Sequence, residues 1–277
     1  MNGETTASAF AAVPWGERVV RLEYQWIAPE REGAPLVVFL HEGLGSLAMW
    51  KDFPQQLCGA GGFRGLVFSR PGYGRSTPRA PQEAWGVDFM HQQAQQVLPG
   101  LLAAVGVREP VWLFGHSDGA SIALLHAAAC AHNVRGLVVL APHILVEDIT
   151  VRNIEEARAA YQAGDLRARL GRYHDDPDSA FWGWNRIWLD PAFRSWNIEV
   201  ELASVDAPVL AVQGLDDEYG TLAQIRGIAQ RVPGTQLLEL SSCGHSPHRD
   251  RPADVVRETV AFVQAADSRA RTAVGPA

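Results

Sequence analysis

The sequence predicts an α/β fold, a mostly parallel central sheet of about eight strands with helices on both faces. Three observations predict it. Short continuous apolar runs at residues 35–40, 65–69, 111–114, 134–141 and 207–213 read as strands buried on both faces. Segments with helical spacing separate them, the rhythm of strands joined by crossover helices. Residues 145–205 break that rhythm with charged helix formers followed by an aromatic stretch, which reads as a helical insertion packed over the end of the sheet. The expected organisation is a core from 1–144, an insertion from 145–205 and a resumed core from 206–277.

In order, residues 1–12 are small and polar and read as a loose end. Residues 18–27 alternate from Val20 onward, which suits an antiparallel edge strand. The buried run to Leu40 ends in His41-Glu42-Gly43-Leu44-Gly45-Ser46, and residues 50–60 then read as a short helix. A second buried run ends at Ser69 in Arg70-Pro71-Gly72-Tyr73-Gly74-Arg75-Ser76. Residues 88–105 have helical spacing, and Pro99 predicts a kink or break there. Val111-Trp112-Leu113-Phe114 leads into Gly115-His116-Ser117-Asp118-Gly119, and an apolar helix follows over 120–131. The run at 134–141 is followed by Pro142-His143. In the insertion, residues 147–172 are helix-forming, and Trp182, Trp184, Trp188 and Trp196 follow, four of the chain's nine tryptophans. The strand at 207–213 runs into Gly214-Leu215-Asp216-Asp217-Glu218, and a helix is expected over 221–231. A last strand at 236–240 ends in Ser241-Ser242-Cys243-Gly244-His245, Pro252 opens a final helix to about residue 266, and residues 269–277 read as a frayed tail.

Composition bounds the function. With 277 residues, 47% hydrophobic and 20% charged, the chain can bury the core of one large domain. A net charge of -7 argues against nucleic acid or an anionic membrane as partner. Lys51 is the only lysine, which reads as compositional bias. Cys58, Cys130 and Cys243 form neither a disulfide framework nor a metal-binding pair, and no metal site is expected. Residues 1–14 lack a basic-then-apolar leader, and no apolar stretch approaches membrane-spanning length, so a cytoplasmic setting is expected. A monomer or homodimer is expected.

The chemistry centres on Gly115-His116-Ser117-Asp118-Gly119. Composition alone yields about 0.1 such Gly-x-Ser-x-Gly matches, so the pattern gains weight from its setting between a strand and a helix. A serine hydroxyl needs a base within hydrogen-bond reach, and the base needs an orienting carboxylate. In an open parallel sheet such partners lie just after strands. Ser117, then Asp216 or Asp217, then His245 satisfy this in chain order.

These pieces resemble the α/β-hydrolase family, from about Val20 to Ala266: His41-Glu42-Gly43, the loop from Arg70 to Ser76, the serine motif, Gly214-Leu215-Asp216-Asp217 and Gly244-His245-Ser246-Pro247-His248. The resemblance implies Ser117 as nucleophile, His245 as base and Asp217 as acid, with a helical cap where the aromatic insertion lies. Glu147 or Asp148, after the sixth strand, is the other place where this family sets its acid. Backbone N–H groups of Asp118 and Gly43 are the expected oxyanion donors, with Glu42 the runner-up. Many members have glycine where this chain has Glu42, whose carboxylate is expected to turn toward an arginine or His143. Glu42, His143, Trp182 and Trp188 are candidate pocket residues, and Arg75 is a weaker candidate for holding a substrate anion. His126 and His132 read as structural, His91 and His174 as surface residues, His248 as support for its loop and His116 as packing. The expected activity is hydrolysis of a carboxylic ester or related acyl compound, a small-molecule substrate, without a cofactor. Carbon–carbon bond, lactone or thioester cleavage on the same triad is the alternative, and a hydrolase-derived ligand receptor is the alternative of another class.

Overall fold

The computed structural model describes residues 4–274, with side chains to 269. One sheet of eight strands runs in the order β1-β2-β4-β3-β5-β6-β7-β8. The strands are β1 (Ala9–Trp15), β2 (Arg18–Ile27), β3 (Leu36–Leu40), β4 (Arg64–Phe68), β5 (Val111–His116), β6 (Val134–Leu140), β7 (Val209–Gly214) and β8 (Gln236–Leu240). β1 pairs antiparallel with β2, and β2 antiparallel with β4; every pairing from β4 to β8 is parallel. β3 and β5 are buried throughout, as expected of central strands covered on both faces.

Two N-terminal expectations are corrected. Residues 9–15 form a strand rather than a loose end, and they take the edge position expected of residues 18–27. Ala11, Val13 and Trp15 face the core in alternation, a pattern that the small residues between them conceal. Residues 1–3 lie outside the described residues.

Among the helices, α1 (Phe53–Gly61) follows a single 3₁₀ turn over Leu47–Trp50. The segment around Pro99 is α2 (Phe89–Gln92), a π turn (Gln93–Val97) and α3 (Leu98–Ala104). The wide turn just before Pro99 answers the missing N–H and the clash that proline brings to a helix. α4 (Asp118–Ala129) is buried on nearly all sides, which explains its apolar composition. The last helices are α8 (Ala223–Arg231), α9 (Pro247–Asp250) and α10 (Pro252–Val274). α10 runs past the expected end near residue 266 and takes in most of the tail; residues 275–277 lie outside the described residues. Among the described residues, no helix is long and apolar enough to cross a membrane.

Between β6 and β7 the chain forms α5 (Asp148–Ala163), α6 (Leu166–Leu170) and α7 (Pro177–Trp188), then two 3₁₀ turns. It adds no strand to the sheet, only an isolated bridge between Leu145 and Asn197. Asp176 caps α7 by accepting from the Ser179 N–H, with Pro177 in the first turn. The apolar face of α7 joins the main core through Phe181, Trp184, Ile187 and Trp188.

Candidate active site

Four loops at the carboxyl ends of β3, β5, β7 and β8 meet at Ser117. The serine sits between β5 and α4 with φ 52° and ψ -121°, a left-handed conformation that a non-glycine residue adopts at a cost of about 1–3 kcal/mol. The flanking glycines make this turn possible. A Cβ on Gly115 would lie 2.5 Å from the Gly119 carbonyl oxygen, and one on Gly119 would lie 2.1 Å from that of Leu40. Only hydrogen fits at either position.

His245 Nε2 lies 3.0 Å from Ser117 Oγ, and His245 Nδ1 lies 2.8 Å from Asp217 Oδ1. The same Asp217 oxygen accepts the N–H groups of Tyr219 and Gly220, and Oδ2 accepts from the Gln213 amide. The acid and histidine loops are joined by main chain. Leu215 N–H donates to Leu240, Asp216 N–H donates to Cys243, and a Cβ on Gly214 would lie 2.0 Å from the Cys243 oxygen. These bonds turn Asp217 inward and leave Asp216 exposed. Burial alone would lower the His245 pKa, but the Asp217 charge and hydrogen bond outweigh it, and the net shift is upward from 6.5. Burial alone would raise the Asp217 pKa, but the His245 charge and hydrogen bond hold it below the usual carboxylate value.

The main chain of His245 is also clamped. Its carbonyl lies 2.6 Å from His116 Nε2, and its N–H donates to Glu218. His116 Nδ1 lies 3.5 Å from Glu42, and Glu42 also pairs with Arg249 at 3.3 Å. The Glu42 carboxylate thus turns toward an arginine, one of the two expected directions, and toward His116 rather than His143. Burial opposes its charge, yet His116 and Arg249 hold its pKa well below the ordinary value.

The Glu42 carbonyl accepts from Gly45 N–H, His41 Nδ1 and Arg70 Nη2. His41 Nε2 in turn accepts the Arg70 N–H, so the ring holds one proton on Nδ1. Burial and the Arg70 charge push the His41 pKa well down. In a trans peptide the N–H points opposite to the carbonyl. Pinning the Glu42 carbonyl therefore turns the Gly43 N–H away from Arg70. Among the described residues, neither the Gly43 nor the Asp118 N–H donates to another backbone group.

A cavity of about 540 Å³ opens over Ser117, lined by Gly43, Asp118, His143, Trp184, Trp188 and Tyr219, among others. Trp188 Nε1 donates to Asp118, which ties α7 to the first turn of α4. Burial raises the Asp118 pKa, and Arg70 at 3.6 Å opposes that shift. His143 packs edge-on to Trp188, and burial pushes its pKa down to about 3, so it is neutral.

The alpha/beta hydrolase family model matches residues 37–258, most of the chain. The chain belongs to the alpha/beta hydrolase family. It is 27% identical to the 2-succinyl-6-hydroxy-2,4-cyclohexadiene-1-carboxylate synthase of Salmonella enteritidis, over 82% of this chain and 93% of that protein. It is 24% identical to the 2-hydroxy-6-oxononadienedioate/2-hydroxy-6-oxononatrienedioate hydrolase 2 of Pseudomonas putida, over 94% of this chain and 98% of that protein. The enol-lactonase of Burkholderia xenovorans LB400 has the same fold, with a TM-score of 0.73, 20% identity, and coverage of 92% of this chain and 100% of that one.

In this alpha/beta hydrolase the sequence-derived residues Ser117, Asp217, His245, Asp118, Gly43, Glu42, His143 and Trp188 converge on one site. Trp182 does not line the cavity. It packs on Tyr161 and Phe181, with Arg186 over its ring. At about 100° per residue, positions 184 and 188 share a face of α7, and position 182 lies about 200° away from 184. Trp184 takes the place expected of Trp182, and a Cβ on Gly43 would lie 2.2 Å from its indole nitrogen. His174, expected at the surface, is buried and links the Gly74 N–H to the Leu44 carbonyl. Glu147 bonds Thr221 and Gln224, and Asp148 pairs with Arg194, so neither meets His245. Arg75 is exposed near Glu23 and Ser8, outside the cavity. His116, expected only to pack, also bonds the His245 main chain through its ring. No spacing in the sequence foretells that contact, because it joins residues 129 positions apart.

Proposed function

We propose that this enzyme is a serine hydrolase that cleaves a carboxylic ester or related acyl compound through an acyl-enzyme on Ser117. The observation that carries the reading is the unbroken hydrogen-bonded row from Ser117 Oγ through His245 to Asp217. Ser117 Oγ attacks the carbonyl carbon while its proton passes to His245 Nε2. The oxyanion takes the N–H groups of Asp118 and Gly43, where each donor is worth about 10²–10³ in turnover. His245 protonates the leaving alcohol as the tetrahedral species collapses. It then takes a proton from water, which attacks the acyl carbon and frees the acid and Ser117. Asp217 keeps the His245 proton on Nδ1 and steadies the imidazolium. The helices of residues 145–205 act as a cap, with Trp184 and Trp188 as the apolar wall against the acyl chain.

A second reading, hydrolysis of a carbon–carbon bond next to a carbonyl, uses the same residues. The kinship with the Pseudomonas putida hydrolase favours it. Both readings predict rapid labelling of Ser117 by a fluorophosphonate and a one-equivalent burst with an aryl ester. A silent ligand receptor would give neither, and their absence would sink both readings.

His245 acts as a base only when neutral, and its pKa is raised above 6.5. The expected kcat/KM therefore climbs with pH through a midpoint above 6.5 and levels off beyond it. A pH–rate profile with its acid limb centred below 6.5 would contradict this assignment.

A further inference from the structure

The cavity mouth is basic, although the chain carries a net charge of -7. Lys51, Arg169, Arg172 and Arg249 line it, and all four are exposed. The acids that line it already have partners, one of them the rim's own Arg249. Asp118 is held by Trp188 and Arg70, Glu42 faces His116 and Arg249, and Glu218 accepts the His245 N–H. Arg169 lies 3.5 Å from Asp165, its neighbour one helical turn away. Lys51 and Arg172 stand apart, with no carboxylate in ion-pair distance among the described residues.

Lys51 also has φ 53° and ψ -128°, a left-handed backbone close to that of Ser117. Glycine would adopt it freely, whereas the chain places its only lysine there. Strained non-glycine residues persist where the surroundings hold them, and ligand clamps are one such place. Directly before Lys51, Trp50 is buried against His248 and Phe114, which anchors the strained turn.

We propose that the substrate of the Ser117 site carries an anionic group, in the simplest case a carboxylate, on the part remote from the scissile carbonyl. Lys51 and Arg172 receive it at the mouth while the acyl carbon lies at Ser117. This rests on the reading of Ser117 as nucleophile given above. The cations desolvate little at the rim, so each ion pair is worth only a few-fold in binding, enough for two together to select among acyl compounds.

The test compares p-nitrophenyl monoadipate with p-nitrophenyl hexanoate, esters of equal acyl length that differ in one terminal carboxylate. The wild type is expected to favour the monoadipate by about tenfold in kcat/KM, chiefly through KM, from two exposed ion pairs. Added salt should shrink that ratio, because exposed charges are screened. In the Lys51→Gly/Arg172→Gln double variant the ratio should fall to near unity. Glycine is chosen at 51 because it accepts the positive φ without strain, and Arg172→Lys should keep most of the preference. A wild type that does not favour the monoadipate, or a double variant that keeps the preference, overturns the proposal. If neither ester is turned over, the hydrolase reading fails by itself, and binding of adipate is followed by tryptophan fluorescence. Adipate binding that the double variant loses then upholds the anion site, and no binding to the wild type overturns it.

Discussion

Replacing Ser117 by alanine is expected to cut kcat by about 10⁴- to 10⁶-fold on any ester the wild type turns over, with far less change in KM. The variant removes the oxygen hydrogen-bonded to His245 Nε2 and leaves Asp217, the Gly43 and Asp118 N–H groups and the cavity in place. Substrate should still bind, so the loss falls on the chemical step. Alanine must hold the same φ of 52°, as serine does, so the turn carries no new strain. Circular dichroism and the melting temperature should therefore match the wild type closely. Steady-state kinetics on purified protein settle the matter. An alanine variant that kept more than a few per cent of the activity would place the nucleophile elsewhere.

The Asp217→Asn variant is expected to lose about 10³- to 10⁴-fold in kcat, whereas Asp216→Asn should stay within about twofold. Every partner of the Asp217 carboxylate is a donor: His245 Nδ1, two main-chain N–H groups and the Gln213 amide. An asparagine must turn its own NH₂ toward one of them. Even in the better orientation it presents a neutral oxygen to His245. The Asp217 charge is what raises the His245 pKa against burial, so its removal lowers that pKa. The acid limb of the pH–rate profile should then move to lower pH, a shift that mere unfolding would not produce. Asp216 offers the contrast. Its main-chain N–H holds Cys243, a bond that survives substitution, and its side chain is exposed. Equal losses in both variants would mean that the loop matters and the carboxylate does not.

The parts of this molecule that were readable in advance are those written in local chemistry. The turn at Ser117 needs two glycines and a buried strand and helix around it, and all of these are adjacent in the chain. Asp217 and His245 follow strands, and strand ends in a parallel sheet gather on one side whatever the loops do. What escaped depends on phase and on distant partners. The aromatic insertion is legible in the sequence, but the rotation of α7 about its axis decides between Trp182 and Trp184, and one clustered run of tryptophans does not fix that rotation. The strand at residues 9–15 was hidden because its alternation runs through alanines. His174 looked exposed among aspartates, yet its two bonds go to Gly74 and Leu44, about a hundred residues away or more. The basic rim was invisible for a similar reason. Lys51 comes from the connection between β3 and α1, Arg172 from the insertion and Arg249 from α9, and only the fold brings them to one opening.

The hydrogen-only contact between Gly119 and the Leu40 carbonyl bears on how such an enzyme can be re-engineered. It sets the first turn of α4 directly on the end of β3, main chain against main chain. The N–H groups of Gly43 and Asp118 are therefore spaced by backbone thickness, which no choice of side chain adjusts. A library aimed at those loops would mostly return misfolded or inactive proteins. Variation in the face of α6 that meets the cavity, Leu166, Arg169 and Leu170, leaves that spacing untouched. Changes of substrate range should be sought there, with the loops at β3 and β5 held constant.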